Sequence, residues 1–314
     1  MPIPDKLPRR AKAMIAFDDA YSPSRAGFLG LTEQDAVSYE AAKAVVIPFG
    51  LEASVSYGGG TGAGPRAIIA ASHQVELFDE QLWCEPFREI GIVTLNEFEI
   101  ATTVPEALTQ LEGIVRRMLA GGKFPLVLGG EHSLTAGAIR PFAAKHPELT
   151  ILHFDAHADL RDDYHGRYSH ACAMRRCLDH GNVSLVSCGI RNISAEEVPF
   201  LEESGKRIRV YWAKDKARWS PGEVVSHLKG RKVYLSFDID AFDSSLMPAT
   251  GTPEPGGLFW NETIEIIAEA SKICDIVGAD IVELAPIQNL HACDFLAAKL
   301  AYKMLSLAFL GKTR

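Results

Sequence analysis

The chain has 314 residues, 47% of them hydrophobic and 23% charged, with a formal net charge of −8. That composition supplies a large core and excludes a disordered chain; the acidic balance excludes the basic footprint of a nucleic-acid-binding surface. No apolar run reaches the roughly 18 residues a membrane span needs, and Met1–Arg10 carries no apolar h-region, so neither a span nor a secretory leader is expected. The six cysteines are scattered without a C-x-x-C pair and read as reduced thiols of a cytoplasmic protein.

In chain order, residues 1–40 show no clear period and are expected to form an N-terminal arm used in oligomer contacts. Residues 41–314 are expected to form a single domain. There, short β-branched runs near 44–48, 89–94, 125–128, 150–154, 183–187, 208–212, 232–237 and 276–282 predict eight strands. Helical periods fall near 65–72, 104–121, 133–146, 171–180, 195–204, 220–228, 260–273 and 291–310. Continuously apolar strands separated by helices imply a parallel sheet covered on both faces. The expectation is a single three-layer α/β/α domain with a mostly parallel, eight-stranded sheet.

The first strand leads to Gly58-Gly59-Gly60-Thr61-Gly62-Ala63-Gly64-Pro65-Arg66. The run lacks G-K-[ST] and is out of frame for G-x-G-x-x-G, so it reads as a tight entry loop to a helix that Pro65 opens, not as a nucleotide site. The third strand runs into Gly129-Gly130-Glu131-His132-Ser133, the fourth into Asp155-Ala156-His157-Ala158-Asp159, the seventh into Asp238-Ile239-Asp240, and the eighth into Glu283. All four segments stand at carboxyl ends, where open parallel sheets place their ligands.

Taken singly, a strand-end Asp most often caps a helix and a lone His is most often a satisfied core residue. Together, His132, His157, Asp155, Asp159, Asp238 and Asp240 are enough for two divalent ions and too many for one tetrahedral zinc. Burying four carboxylates without cations would cost many kcal/mol. His153, on the strand itself, reads as core or as a support behind the ligands.

G-G-E-H-S, D-A-H-A-D, S-F-D-I-D and Thr250-Gly251-Thr252-Pro253-Glu254-Pro255-Gly256-Gly257-Leu258 resemble, in order, the signatures of the ureohydrolase family of arginase, agmatinase and their relatives. The likeness runs from about residue 45 to 310. It implies an arginase-like fold and two Mn2+ per subunit (a few relatives use Ni2+ or Zn2+). One ion would be held by His132, Asp155, Asp159 and Asp238, the other by Asp155, His157, Asp238 and Asp240, with Asp155 and Asp238 bridging. A hydroxide shared by the ions would attack the guanidino carbon. Glu283 would pair with the guanidinium, and His170 would pass a proton to the departing amine.

The same resemblance implies a small cationic guanidino substrate and a homo-oligomer, trimer or hexamer. The loop Leu160–Ser169 is short and lacks the Asn that arginases carry there, which looks like agmatinase, converting agmatine to putrescine and urea. Asp162 or Asp163 would then meet the distal ammonium; Arg161 and Arg167 would instead suit a guanidino acid such as guanidinobutyrate or guanidinopropionate. Arginine and formiminoglutamate are further alternatives within the same chemistry. A catalytically silent metalloprotein would be expected to lack one of these eight positions, and none is lost. One departure is Ser244, where the family usually has Pro; it touches no ligand.

Overall fold

The computed structural model describes residues 21–313. Eight strands form one sheet: β1 (Ala44–Phe49), β2 (Ile92–Thr94), β3 (Phe124–Gly129), β4 (Leu149–Phe154), β5 (Val183–Ile190), β6 (Ile208–Trp212), β7 (Lys232–Asp238) and β8 (Asp275–Val282). Their order is β2-β1-β3-β8-β7-β4-β5-β6, and every pairing is parallel. The sheet is thus wholly rather than mostly parallel. Its central strands are buried along their length on both faces, which is why they read as apolar runs without alternation.

Helices make the outer layers: α1 (Gly64–Ser72), α2 (Pro86–Ile90), α3 (Val104–Ala120), α4 (Thr135–Lys145), α5 (Ala173–Leu178), α6 (Val198–Glu203), α7 (Pro221–Ser226), α8 (Trp260–Ile273) and α9 (His291–Leu310). Packing splits them into two groups. α1 and α2 lie on α9, and α8 joins α9 to α7, whereas α3, α4 and α5 pack in series. Successive residues of one strand feed the two resulting cores. Leu126 and Leu128 join the first with Phe237 and Leu305; Val127 joins the second with Leu108 and Ile139. That alternation follows from the two-residue period of an extended strand. Gly137 lets α4 meet α3 closely, since a Cβ there would stand 2.6 Å from the Leu108 carbonyl oxygen.

One element differs from the sequence reading. The strand expected over 89–94 is only Ile92–Thr94, because Pro86 opens the short α2 and Gly91 closes it at φ 63°. The expected arm lies outside the described residues over 1–20. Its later part packs on the body: Phe28, Leu29 and Leu31 are buried in the first core, and the Leu29 N–H donates to Ser72 Oγ at 2.7 Å. No described helix is long and apolar enough to cross a membrane.

Candidate metal centre

β3 ends at Gly129, and the chain turns at Gly130, where a Cβ would lie 2.0 Å from the Leu51 carbonyl oxygen. Only glycine admits that approach, and it delivers the His132 side chain towards Ser236 and Asp238 of β7 and Asp155 after β4. His132 Nε2 lies 2.9 Å from Ser236 Oγ, and that hydroxyl donates to Asp280 Oδ1 at 2.8 Å. Asp280 also accepts from the Thr135 and Tyr234 hydroxyls. Since the Ser236 proton is directed at Asp280, the serine oxygen accepts from His132 Nε2–H, which leaves Nδ1 as the ring nitrogen turned to the carboxylates.

That Nδ1 is buried and has no hydrogen-bond partner. It faces Asp155 Oδ2 at 3.1 Å, Asp159 Oδ2 at 3.2 Å and Asp238 Oδ2 at 3.3 Å. A ring nitrogen and three carboxylate oxygens pointed at one spot need a positive charge between them, a proton or a cation, and against burial the contacts to Asp155, Asp159 and Asp238 push His132 well above its usual range. The residues therefore fit a divalent ion. A second group adjoins the first: His157 Nδ1 lies 3.0 Å from Asp240 Oδ2 and 3.5 Å from Asp155 Oδ1. Asp155 thus turns one oxygen towards each imidazole. His153 also comes within ligand reach of Asp155 and His132. Its nitrogens are engaged, though, by Asp155 Oδ2 at 2.8 Å and Ser187 Oγ at 3.0 Å, so it aims the carboxylate from behind.

The local chain fixes the remaining oxygens. Asp238 is the last residue of β7, and its Oδ1 accepts the Asp240 N–H at 2.9 Å; Asp240 Oδ1 accepts the Ala156 N–H at 2.9 Å. Asp159 and Glu283 sit at φ 53° and 66°, a left-handed conformation that non-glycine residues adopt rarely and that clusters at functional sites. Burial pushes Asp238 well above the usual carboxylate range, and Asp240 and Asp155 push it further. Burial and the Asp155 charge raise Asp159 to about 6. Such a cluster takes up protons or divalent cations, each at the other's expense.

Above the cluster opens a cavity of about 330 Å3, lined by His132, His157, Asp159, Asp238, Asp240 and Glu283 at its base. Glu283 is raised well above its usual range by burial, and its Oε1 accepts the His132 N–H at 2.7 Å. His170 reaches the same cavity from a single helical turn, His170–Cys172, ahead of α5. Its Nδ1 lies 2.8 Å from Ser54 Oγ and its Nε2 2.8 Å from Ser56 Oγ. Glu131 holds that serine loop by accepting the N–H groups of Ala53 and Ser54. Burial pulls His170 down to about 4, with the imidazoles of His157 and His132 adding to the shift.

Five of the six ligand candidates, with His170 and Glu283, thus line one cavity, and Asp155 stands behind them against His132 and His157. The substrate-loop candidates divide. Arg161 lines the cavity with its guanidinium 4.7 Å over the Tyr164 ring. Asp162 does not: Arg176, at 2.6 Å, takes its carboxylate. Asp163 also stands off the lining and accepts the Gly166 N–H at 3.2 Å. Arg167 is paired with Asp179. In the glycine run the Gly60 and Gly62 N–H groups both donate to the Glu52 carboxylate, so these two amides are not offered to a phosphate.

Sequence reasoning missed Ser54, Ser56, Asp280 and the wall residues Asn192 and Glu254. Two signals were available. Ser236 stands two residues before Asp238 and so shares its strand face, and Asp280 is a charged residue inside an otherwise apolar central strand. Nothing local marks Ser54 or Ser56, which lie more than 110 positions from His170 and meet it only through the fold.

An all-parallel sheet with a carboxylate–imidazole cluster at its carboxyl edge defines the class: an α/β protein that gathers metal-capable side chains there. The arginase-family model matches residues 42–306, and the chain belongs to the arginase family. It is a hydrolase of amidine C–N bonds, as ureohydrolases of that family are. It is 36% identical over 284 residues to the N(1)-aminopropylagmatine ureohydrolase of Synechocystis sp., covering 87% of this chain and 92% of that one. To the agmatinase of Halalkalibacterium halodurans it is 33% identical, covering 87% and 92%. The crystal structure of the agmatine ureohydrolase of Thermoplasma volcanium superposes with a TM-score of 0.77 at 31% identity, covering 87% and 92%.

Proposed function

We propose that the chain hydrolyses a guanidino-alkylamine, agmatine to putrescine and urea, at two Mn2+ held by His132, Asp155, Asp159 and Asp238 and by Asp155, His157, Asp238 and Asp240. The observation that carries this reading is the orphaned His132 Nδ1 facing three carboxylates at the base of a cavity that also holds Glu283. Bound there, two divalent ions would supply Lewis acidity and a nucleophile drawn from water near neutral pH.

The chain's own residues do the rest. Glu283 spends one oxygen on the His132 N–H, leaving the other for a guanidinium, and an arriving cation favours its ionised form. His170 is neutral above about pH 4, with its ring set between two serine hydroxyls. It takes a proton at a ring nitrogen and returns it to the nitrogen of the departing amine. The cavity wall carries two unlike charges for the distal end of the substrate. Both Glu197 oxygens accept backbone N–H groups, of Leu160 and Ser194. Glu254 makes no side-chain hydrogen bond or ion pair among the described residues, so its carboxylate is the one we assign to a distal ammonium. Arg161 would serve a distal carboxylate.

A second reading, N(1)-aminopropylagmatine as substrate, is favoured by the Synechocystis relative that bears that name. The cysteines, scattered without a C-x-x-C pair, fit a cytoplasmic location, and a trimer or hexamer completes the proposal.

The test is urea release by the Mn2+-loaded chain with agmatine, N(1)-aminopropylagmatine, 4-guanidinobutyrate and arginine side by side, in the wild type, Glu254→Gln and Arg161→Gln. The proposal expects an alkylamine to be preferred and Glu254→Gln to raise its KM about tenfold, the loss of one charge-assisted contact. Preference for guanidinobutyrate, lost with Arg161→Gln, would reverse the assignment. Preference for aminopropylagmatine over agmatine would install the second reading.

A further inference from the structure

At the opposite, amino edge of the sheet lies a second cavity, of about 380 Å3. Its lining includes Arg209 in β6, Arg207 and Lys206 just before β6, Lys229 and His227 after α7, and Arg231 just before β7. No Asp or Glu lines it, although the whole chain carries 40 acidic residues against 32 basic ones. Among the described residues, Lys206, Arg209, Lys229 and Arg231 form no salt bridge. Arg207 is otherwise engaged, donating to the carbonyls of Val183, Leu178 and His180, and so acts as a fixed charge.

The floor is made of hydroxyls. Thr150 Oγ1 and Ser184 Oγ lie 2.9 Å apart, and Arg231 Nη1 stands 3.4 and 3.5 Å from them. These are long contacts that leave the guanidinium's stronger donors unspent. Like charges crowd here: burial pulls His227 below its usual range, and Arg209 and Arg231 pull it further than Glu223 restores it. A concave wall of one sign focuses its field on the space it encloses, and the repulsion within it is relieved when an anion enters.

We propose that this cavity binds a small polyanion carrying two or more phosphate or carboxylate groups, gripped by Arg209 and Arg231 over the Thr150–Ser184 floor. Guanidinium forks suit such oxyanions, and one monovalent ion would leave most of the cations unmatched. The site is separate from the chemistry. β4 runs from this floor to the metal centre, and its six residues span about 20 Å.

The experiment is calorimetric titration of the Mn2+-loaded chain with fructose 1,6-bisphosphate, orthophosphate and tricarballylate, repeated on Arg209→Gln and Arg231→Gln, with urea formation and sedimentation followed in parallel. The expected result is one bisphosphate per chain, bound more tightly than orthophosphate, with Kd rising about tenfold in each variant while urea formation is unchanged. Tricarballylate binding as tightly as the bisphosphate would assign the site to polycarboxylates, and weaker binding would assign it to phosphates. Absence of binding to the wild type, or equal binding to the variants, would overturn the proposal. So would dissociation of an oligomer by Arg209→Gln and Arg231→Gln without any anion bound, since carboxylates of a second copy would then be what fills the cavity.

Discussion

Asp238 and Glu283 stand at the ends of neighbouring strands, and the account separates their roles sharply. Asp238 turns one oxygen to His132 and spends the other on the Asp240 N–H, so it supports both halves of the cluster. Asp238→Ala is expected to remove most bound metal together with turnover; normal metal content with retained activity would contradict its placement. Glu283 touches the cluster only through a backbone N–H. Glu283→Gln should therefore keep its metal, as elemental analysis would show, while kcat/KM falls by about a hundredfold or more, the scale of losing a charge-assisted contact made to the reacting group. Unchanged kinetics would place the guanidinium elsewhere. The six ligand candidates were legible because the two-residue spacing of D-A-H-A-D and D-I-D is itself a statement about strand-end geometry. The aspartates of the substrate loop were not, since nothing local showed that Arg176 would claim Asp162.

At the scale of elements, the strand and helix positions were almost fully readable, because buried parallel strands are apolar throughout and the helices keep their period. The misses fell where a single residue overrode the pattern, as at Pro86 and Gly91 before β2. Arg191, just past β5, was invisible as a structural device. Its guanidinium donates to the carbonyls of Gly189, Asp240, Ala241, Phe242 and Glu254, tying the β7 ligand turn to the cavity wall. An ammonium cannot span such a set. Arg191→Lys should cost about 3 kcal/mol, read as a lower melting temperature, and should weaken metal binding because the Asp240 backbone loses its anchor. A variant with the stability and metal affinity of the wild type would show that the turn holds itself.

For the molecule as a whole, removing the metal should invert the effect of pH on stability. In the metal-free fold Asp238 keeps its proton well above the usual carboxylate range, chiefly through burial. The unfolded chain releases that proton near pH 4. The stability this contributes is whole below about pH 4 and is lost as pH rises towards the folded value. The chelated protein should therefore melt at a lower temperature at pH 8 than at pH 5. The loaded protein should not, because ligation requires ionised carboxylates. Parallel melting curves for the two forms would contradict this. The most direct test of the central claim is the number of divalent ions bound per chain after Mn2+ loading and desalting. The account expects two, falling below one in Asp238→Ala. One ion, or none, in the wild type would contradict a two-ion centre between these strand ends.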